Sequence, residues 1–279
     1  MDKGKALKEI QSNIAAGETA LASVQIRELA GRFPDDPFTL LTCSSLLKVI
    51  EDEGGAREIA SSIPGKVGER DGLEAAKGLR GIGFPAEAEA ILSRLGDSDG
   101  VVRERMRALY DMRRHEESAA MYGRLADPTL DDTAVMVGAV SANNEHGRAA
   151  ELAEALLAEA PCDLAVQKRY CAVMTAAGRQ KDAERLVKDA LKRDRSSPDA
   201  NALAAYFFWV MGRVTAAAAH ASKAIKGDPH NTTAMEVFAY CLAEKGRAAE
   251  AKVVAGAINE EDPGNPAVVR ILDMCRGAG

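Results

Sequence analysis

The chain has 279 residues, a formal net charge of −6 and a pI of about 5.4. Hydrophobic residues make up 47% of it and aromatic residues only 4%, and alanine is abundant. This composition favours closely packed helices over a sheet of aromatic and β-branched residues. The acidic balance argues against a nucleic-acid binder, although it leaves room for a local basic face.

The five cysteines are scattered and never form a Cys-x-x-Cys motif. This usage argues against a disulfide framework and against a zinc site, and it predicts reduced, mostly buried thiols in a cytoplasmic protein. No run of about 18 apolar residues occurs, and the first residues show no apolar signal-peptide core. We therefore expect no membrane insertion, no metal and a cytoplasmic location.

In chain order, the sequence divides into eight blocks of similar pattern. Each block contains a small residue that serves as a mark, and the spacing between marks is 34, 32, 30 and 31 residues and then 34 three times. The marks are Ala22, Ala56, Ala88, Ser118, Ala149, Ala183, Ala217 and Ala251. Apolar residues recur four and seven positions after most marks, which places them on one face of a helix. The blocks are 3–36, 37–68, 69–98, 99–129, 130–163, 164–197, 198–231 and 232–265.

A second helical run precedes each mark and ends in a tight turn. In five blocks a glycine stands five residues before the mark, where it can adopt the left-handed conformation of a helix C-cap. In the other three blocks, Glu51, Arg113 and Asn144 occupy the position where glycine is expected. Nine of the ten prolines fall at block junctions and the tenth lies in a turn, so none interrupts a predicted helix.

A helix-turn-helix unit of about 34 residues, with small residues where its helices cross and a proline near its end, resembles the tetratricopeptide repeat. The resemblance covers almost the whole chain and implies an all-α, right-handed α-solenoid of about eight repeats. Residues 3–129 would form four partly degenerate repeats, and residues 130–265 four repeats of regular 34-residue period. Residues 266–276 resemble the extra helix that caps such arrays, and the whole would be one continuous solenoid.

The resemblance also implies that the first helices line a concave groove. The residues expected there in blocks three, four and six are basic, with one tyrosine: Arg70, Lys77, Arg80, Arg103, Arg107, Tyr110 and Lys168. Clustered guanidinium groups in a concave surface favour an acidic ligand, because they pair bidentately with carboxylates. The alternative is a solvated helix face laced with local ion pairs, to which the nearby Glu74 and Glu104 could contribute.

The segment "NALAAYFFWVMG" in block seven is apolar on nearly all sides. Phe208 is expected in the core, whereas Tyr206 and Trp209 should project into the groove near Tyr240 of the next block. Aromatic side chains with a polar tip often anchor binding sites, so we expect a pocket for an apolar or amphipathic peptide. The alternatives are a helix simply buried between its neighbours and a contact between two copies of the chain.

No catalytic, phosphate-binding or cofactor motif appears in the sequence. The four histidines are not paired with a Cys, Ser or acidic residue at a catalytic spacing, and no glycine-rich phosphate loop follows a strand. We therefore predict a non-enzymatic scaffold that binds a peptide or protein segment with acidic and apolar parts, without cofactor or nucleic acid. The second hypothesis is a structural factor that associates with itself into a homo-oligomer.

Overall fold

The computed structural model describes residues 2–262 and 265–276. Within this part of the chain there are seventeen α-helices, a short 3-10 helix at Pro64–Lys66 and no β-strand. The α-helices are, in chain order, α1 (Lys3–Ala15), α2 (Thr19–Arg32), α3 (Pro37–Val49), α4 (Glu53–Ser62), α5 (Glu69–Gly81), α6 (Pro85–Leu92), α7 (Asp99–Asp111), α8 (His115–Tyr122), α9 (Leu130–Ala142), α10 (His146–Glu159), α11 (Leu164–Ala176), α12 (Gln180–Arg193), α13 (Pro198–Val210), α14 (Val214–Gly227), α15 (Thr232–Glu244), α16 (Ala248–Glu261) and α17 (Pro266–Arg276). The predicted all-α class, with about eight helical hairpins and a final single helix, is confirmed.

The odd-numbered helices, which we call the first helices, begin at the first residue of each block and of the terminal segment. From α9 onward, the residue before each first helix accepts a hydrogen bond from a backbone N–H of the first turn. These five capping residues recur every 34 positions and are Thr129, Asp163, Ser197, Asn231 and Asn265. Side-chain oxygens of this kind satisfy N–H groups that have no partner inside the helix, and so they set where each helix begins.

The even-numbered helices, which we call the second helices, carry the eight marks. Each mark lies three residues after the start of its helix, and all eight side chains are fully buried at 0% exposure. A small residue is required there because the second helix crosses its neighbours at close range and interiors are close-packed. The repeat of small residues in the sequence is therefore a repeat of helix crossings.

The turns between paired helices use a left-handed residue at each of the eight positions that the repeat predicts. The five glycines among them have φ between 69° and 84°. Glu51, Arg113 and Asn144 have φ of 64°, 60° and 64°, so the residues that replace glycine adopt its conformation. This backbone costs a non-glycine residue about 1–2 kcal/mol, and less for asparagine.

The chain forms two compact units, one up to Met112 and one from Arg113 onward. In the first unit, α3 packs on α5 and α5 on α7. In the second unit, the first helices form a layer in which α9, α11, α13, α15 and α17 each pack on the next. Within each unit, every buried core therefore joins neighbouring hairpins, as expected where one hairpin cannot bury its apolar face alone.

Candidate functional site on the first helices

In the second unit, four predicted site residues come together on the layer of first helices. Lys168 lies on α11, Tyr206 and Trp209 on α13, and Tyr240 on α15. Their ring and charge contacts join three consecutive first helices. We call the side of this layer that points away from the second helices the inner face, and the three aromatic residues the aromatic cluster.

The aromatic cluster is built around a stacked pair. The rings of Trp209 and Tyr240 are 4.7 Å apart and inclined by only 10°, and Tyr206 lies 6.2 Å from Trp209 in a tilted arrangement. The indole Nε1 of Trp209 donates a hydrogen bond of 2.9 Å to Glu244. Tyr240 is buried, and burial raises its pKa to about 12, whereas Tyr206 and Trp209 remain partly exposed. The cluster therefore presents two partly exposed aromatic side chains, Tyr206 and Trp209, beside the buried ring of Tyr240.

Lys168 lies over this cluster. Its Nζ is 5.4 Å from the ring centre of Tyr206, donates a 3.0 Å hydrogen bond to Thr233 and lies 3.6 Å from a carboxylate oxygen of Glu236. Thr233 and Glu236 belong to α15. The lysine side chain therefore reaches from α11 past α13 to α15. The ammonium group is thus held in place by a ring face, a hydroxyl and a carboxylate.

In the first unit, the predicted basic residues are partly neutralised by acidic neighbours. Arg80 contacts Glu104 at 2.5 Å and Asp111 at 3.3 Å, and Arg107 lies 4.0 Å from Glu104. Burial would lower the pKa of Arg80, but Glu104 and then Asp111 outweigh it and raise that pKa. Glu104 is itself buried, so it holds these arginines as a fixed countercharge.

The remaining predicted residues of that unit differ in exposure. Lys77 is exposed and pairs with Glu74 at 2.7 Å, one turn away on α5. Arg70 is exposed near the start of the same helix, and Arg103 and Tyr110 are half-buried on α7. The ion pairs of Lys77, Arg80 and Arg107 agree with the alternative interpretation of these residues as a charged helix face with local pairs.

Two exposed apolar residues on α3 were not predicted from the sequence. Phe38 and Val49 are 41% and 61% exposed, and Thr42 and Ser45 lie between them on the same side of the helix. The residues of α3 that pack inward form a different stripe, so this side faces outward. The spacing of four, three and four residues from Phe38 to Val49 places these residues on one side of a helix and is visible in the sequence.

The prediction that Phe208 belongs to the core is only partly correct. Phe207 is the buried ring, at 4% exposure, whereas Phe208 is half-buried and stacks on His220 of α14 at 5.4 Å. The Nδ1 of His220 lies 3.1 Å from the side-chain oxygen of the fully buried Asn201. The amide nitrogen of Asn201 donates to two backbone carbonyls, so its oxygen accepts and His220 Nδ1 donates.

The described residues contain no group of three His, Cys, Asp or Glu side chains that could hold a metal ion. None of the helices in this part of the chain combines the length and apolar character needed to span a membrane. All five cysteines are free thiols, and four of them are buried while Cys162 is exposed.

In the second unit, each hairpin packs its first helix against the first helix of the next hairpin, which defines a helical-repeat protein. Such arrays are in general protein–protein interaction scaffolds. Family models described as tetratricopeptide repeat match residues 211–275 and 176–232. Residues 176–275 of the chain therefore belong to tetratricopeptide repeats. No curated protein matches the sequence.

Solved structures of tetratricopeptide-repeat proteins are also similar to the chain. One from Parabacteroides merdae is 10% identical, with 98% of each chain covered and a TM-score of 0.47. A thermophilic protein of Thermus thermophilus is 16% identical over 63% of this chain and 98% of its own, with a TM-score of 0.43. The P58(IPK) tetratricopeptide-repeat domain is 12% identical over 100% of this chain and 98% of its own, with a TM-score of 0.34. None of these likenesses assigns a role to a residue.

Proposed function

We propose that the chain is a scaffold that binds a peptide or protein segment on the inner face of its first helices, with the aromatic cluster as the anchor. The observation that carries this proposal is the Trp209–Tyr240 stack, on which Tyr206 and Lys168 converge from neighbouring first helices. Rigid aromatic rings with polar tips are the side chains that most often dominate binding energy. Free thiols, four of them buried, fit the reducing conditions of the cytoplasm.

The ligand best suited to this face has an apolar part and an acidic part. The apolar part would pack on the exposed edges of Tyr206 and Trp209, and an adjacent carboxylate would reach Lys168, which a ring and a carboxylate already hold in position. The first unit is considered by itself: there, the basic groups proposed to bind an acidic segment are the exposed Arg70 and the partly exposed Arg103 and Arg107. The ion pairs of Arg80, Lys77 and Arg107 reduce the expected contribution of these three residues.

A selection experiment tests this proposal. Peptides selected from a random phage library on the intact chain should bind the Trp209→Ala variant at least tenfold more weakly, because a hot-spot aromatic residue contributes about 2 kcal/mol or more. Val253→Ala, which truncates an apolar residue that is 74% exposed on a second helix, is the matched control and should leave the affinity unchanged. Equal affinities of all three proteins would contradict the proposal.

The acidic part of the ligand is tested separately. Peptides whose binding involves the first unit should lose affinity for the double variant Arg103→Glu with Arg107→Glu, since charge reversal replaces attraction by repulsion. A peptide set that retains full affinity for this variant and loses it for Trp209→Ala would confine binding to the aromatic cluster.

Self-association through the aromatic cluster is the second candidate function. Two partly exposed aromatic side chains on one face, Tyr206 and Trp209, are the kind of surface that a second copy of the chain can cover. Light scattering over a concentration series separates the two candidates. A mass that rises with concentration in the unaltered chain but not in Trp209→Ala would favour self-association, and a constant monomer mass would exclude it.

A further inference from the structure

The second helix α12 carries a stripe of basic side chains on its outward side. Lys181, Arg185, Lys188 and Lys192 follow one another at steps of four, three and four residues, which places them on one side of the helix over about 16 Å. The buried residues of α12 occupy the opposite side. All four basic side chains are exposed, Arg185 to 75% and Lys188 to 71%. We call these four residues the basic stripe.

The surroundings of the basic stripe are basic as well, in a chain that is acidic as a whole. Residues 179–195 contain seven basic and four acidic side chains, and residues 213–227 contain three basic and no acidic ones. These two segments therefore carry a net charge of +6, whereas the whole chain carries −6. The segments correspond to α12 and α14, two consecutive second helices of one unit.

One hydrogen bond links α14 to the segment that follows α12. Lys223 of α14 donates a hydrogen bond to the backbone carbonyl of Arg195, which follows α12. Within the stripe, Glu184 pairs with Lys188 at 2.8 Å and Asp182 lies 3.8 Å from Arg185. Among the described residues, the side chains of Lys181, Lys192 and Lys226 have no ion-pair partner.

We propose that the basic stripe, with the lysines of α14 beside it, is a docking surface for an acidic helix of a partner protein. A helix that carries glutamates at the same steps of four and three residues presents carboxylates at the same axial intervals as the stripe. Lysine and arginine can then meet glutamate one to one along about three turns. The surface lies on the second helices, away from the aromatic cluster, so a partner could dock there while the inner face is occupied.

The character of this surface favours a protein helix over other anionic partners. Glu184 and Asp189 flank the stripe and would repel a continuous phosphate backbone, whereas a protein helix can place a lysine opposite each of them. No exposed aromatic or large apolar side chain lies on α12 or α14. This surface therefore has no side chain that could stack on a base or insert into a lipid layer. Electrostatic complementarity of this kind steers association and selects partners more than it adds affinity.

The test uses a fluorescent alanine-based helical peptide with glutamates at the spacing of the stripe, and a scrambled peptide of the same composition. Anisotropy titrations at low ionic strength compare the unaltered chain with the double variant Lys181→Glu with Lys192→Glu. The matched control is Lys5→Glu with Lys8→Glu, which changes the charge equally at two lysines of α1. A short DNA duplex and phosphatidylcholine–phosphatidylserine vesicles serve as the alternative anionic partners.

We expect the spaced peptide to bind the unaltered chain and the α1 variant alike, and to lose at least tenfold in affinity with the α12 variant. Weaker binding of the scrambled peptide is also expected. Equal weakening by both double variants would overturn the proposal, since net charge alone would then explain binding. Tighter binding of the duplex or the vesicles than of the spaced peptide would overturn it too. The α12 variant should still bind peptides selected on the aromatic cluster, which separates this proposal from the one above.

Discussion

Lys168 donates a hydrogen bond of 3.0 Å to Thr233, although 65 residues separate them and a whole hairpin lies between. The lysine also lies within ion-pair distance of Glu236 on the same helix as Thr233. This link ties α11 to α15 across α13 and crosses the edge of the aromatic cluster. It is a contact between repeats that are not neighbours, in a fold whose stability comes mainly from neighbouring repeats.

Removal of the lysine charge should therefore weaken the second unit. Lys168→Met is expected to lower the free energy of unfolding by about 1 kcal/mol, because Thr233 and Glu236 lose a charged partner at a half-buried site. Lys188→Met is the control, since its ion pair with Glu184 is exposed and should contribute no more than about 0.5 kcal/mol. Urea unfolding measures both values, and equal losses would show that the link across α13 adds nothing.

The helix crossings give the sharpest prediction about stability. Ala217→Leu should destabilise the chain by about 1–3 kcal/mol, because this mark is fully buried where α14 crosses its neighbours. Ala219→Leu changes a more accessible position on the same helix and should stay within about 0.5 kcal/mol of the unaltered chain. The two variants differ by two positions, so helix propensity cannot explain a difference between them. Thermal or urea unfolding that gives similar losses would contradict the close-crossing account.

Glycine should matter for backbone conformation at the turn residue Gly212 and not at the helical residue Gly256. Gly212 has φ of +69°, and Gly212→Ala should cost about 1 kcal/mol even though a Cβ would meet no atom there within 4 Å. Gly256 lies inside α16, also with open space around it, so Gly256→Ala should stabilise the chain by about 0.5–1 kcal/mol. Opposite signs in urea unfolding are the expected result, and the same sign for both would show that backbone conformation is not the cause.

His220 should make stability depend on pH. Burial, and then the charge of Lys223, lower the pKa of His220 below its ordinary value of 6.5. The unfolded chain then binds the proton more readily than the folded chain, so stability should fall as the pH drops below about 6.5 and level off below the folded pKa. His220→Gln should flatten this part of the curve, because glutamine does not titrate. The glutamine amide can still donate a hydrogen bond to Asn201, so the folded structure should be kept. Unfolding curves between neutral and mildly acidic pH that coincide for both proteins would show that His220 does not titrate in this way.

The repeat boundaries could be predicted from the sequence because local chemistry sets them. Capping side chains such as Ser197 and Asn231 fix the helix starts, and a buried alanine such as Ala183 fixes each crossing. Even Arg113, which breaks the glycine pattern, keeps the turn because it adopts the left-handed conformation. Each of these signals acts within one block and is therefore visible in one block of sequence.

The contacts of the candidate site depended on packing between blocks and were harder to predict. The approach of Tyr206, Trp209 and Tyr240 followed from the repeat register, but the reach of Lys168 to the next block but one depends on how the helices of the second unit are inclined. The pairing of Arg80 with Glu104 likewise depends on how α5 and α7 approach each other. Spacing along the chain identifies which residues share a side of a helix, and it leaves open which charges meet across helices.

The most direct test of the proposed binding site is the fluorescence of Trp209, the only tryptophan of the chain. Titration with a peptide selected on the intact protein should shift or quench its emission in a saturable way, at the concentration where an independent method detects binding. The scaffold proposal predicts this coincidence, because the indole contacts both other rings of the aromatic cluster. Saturable binding that leaves the emission of Trp209 unchanged would show that the ligand binds elsewhere.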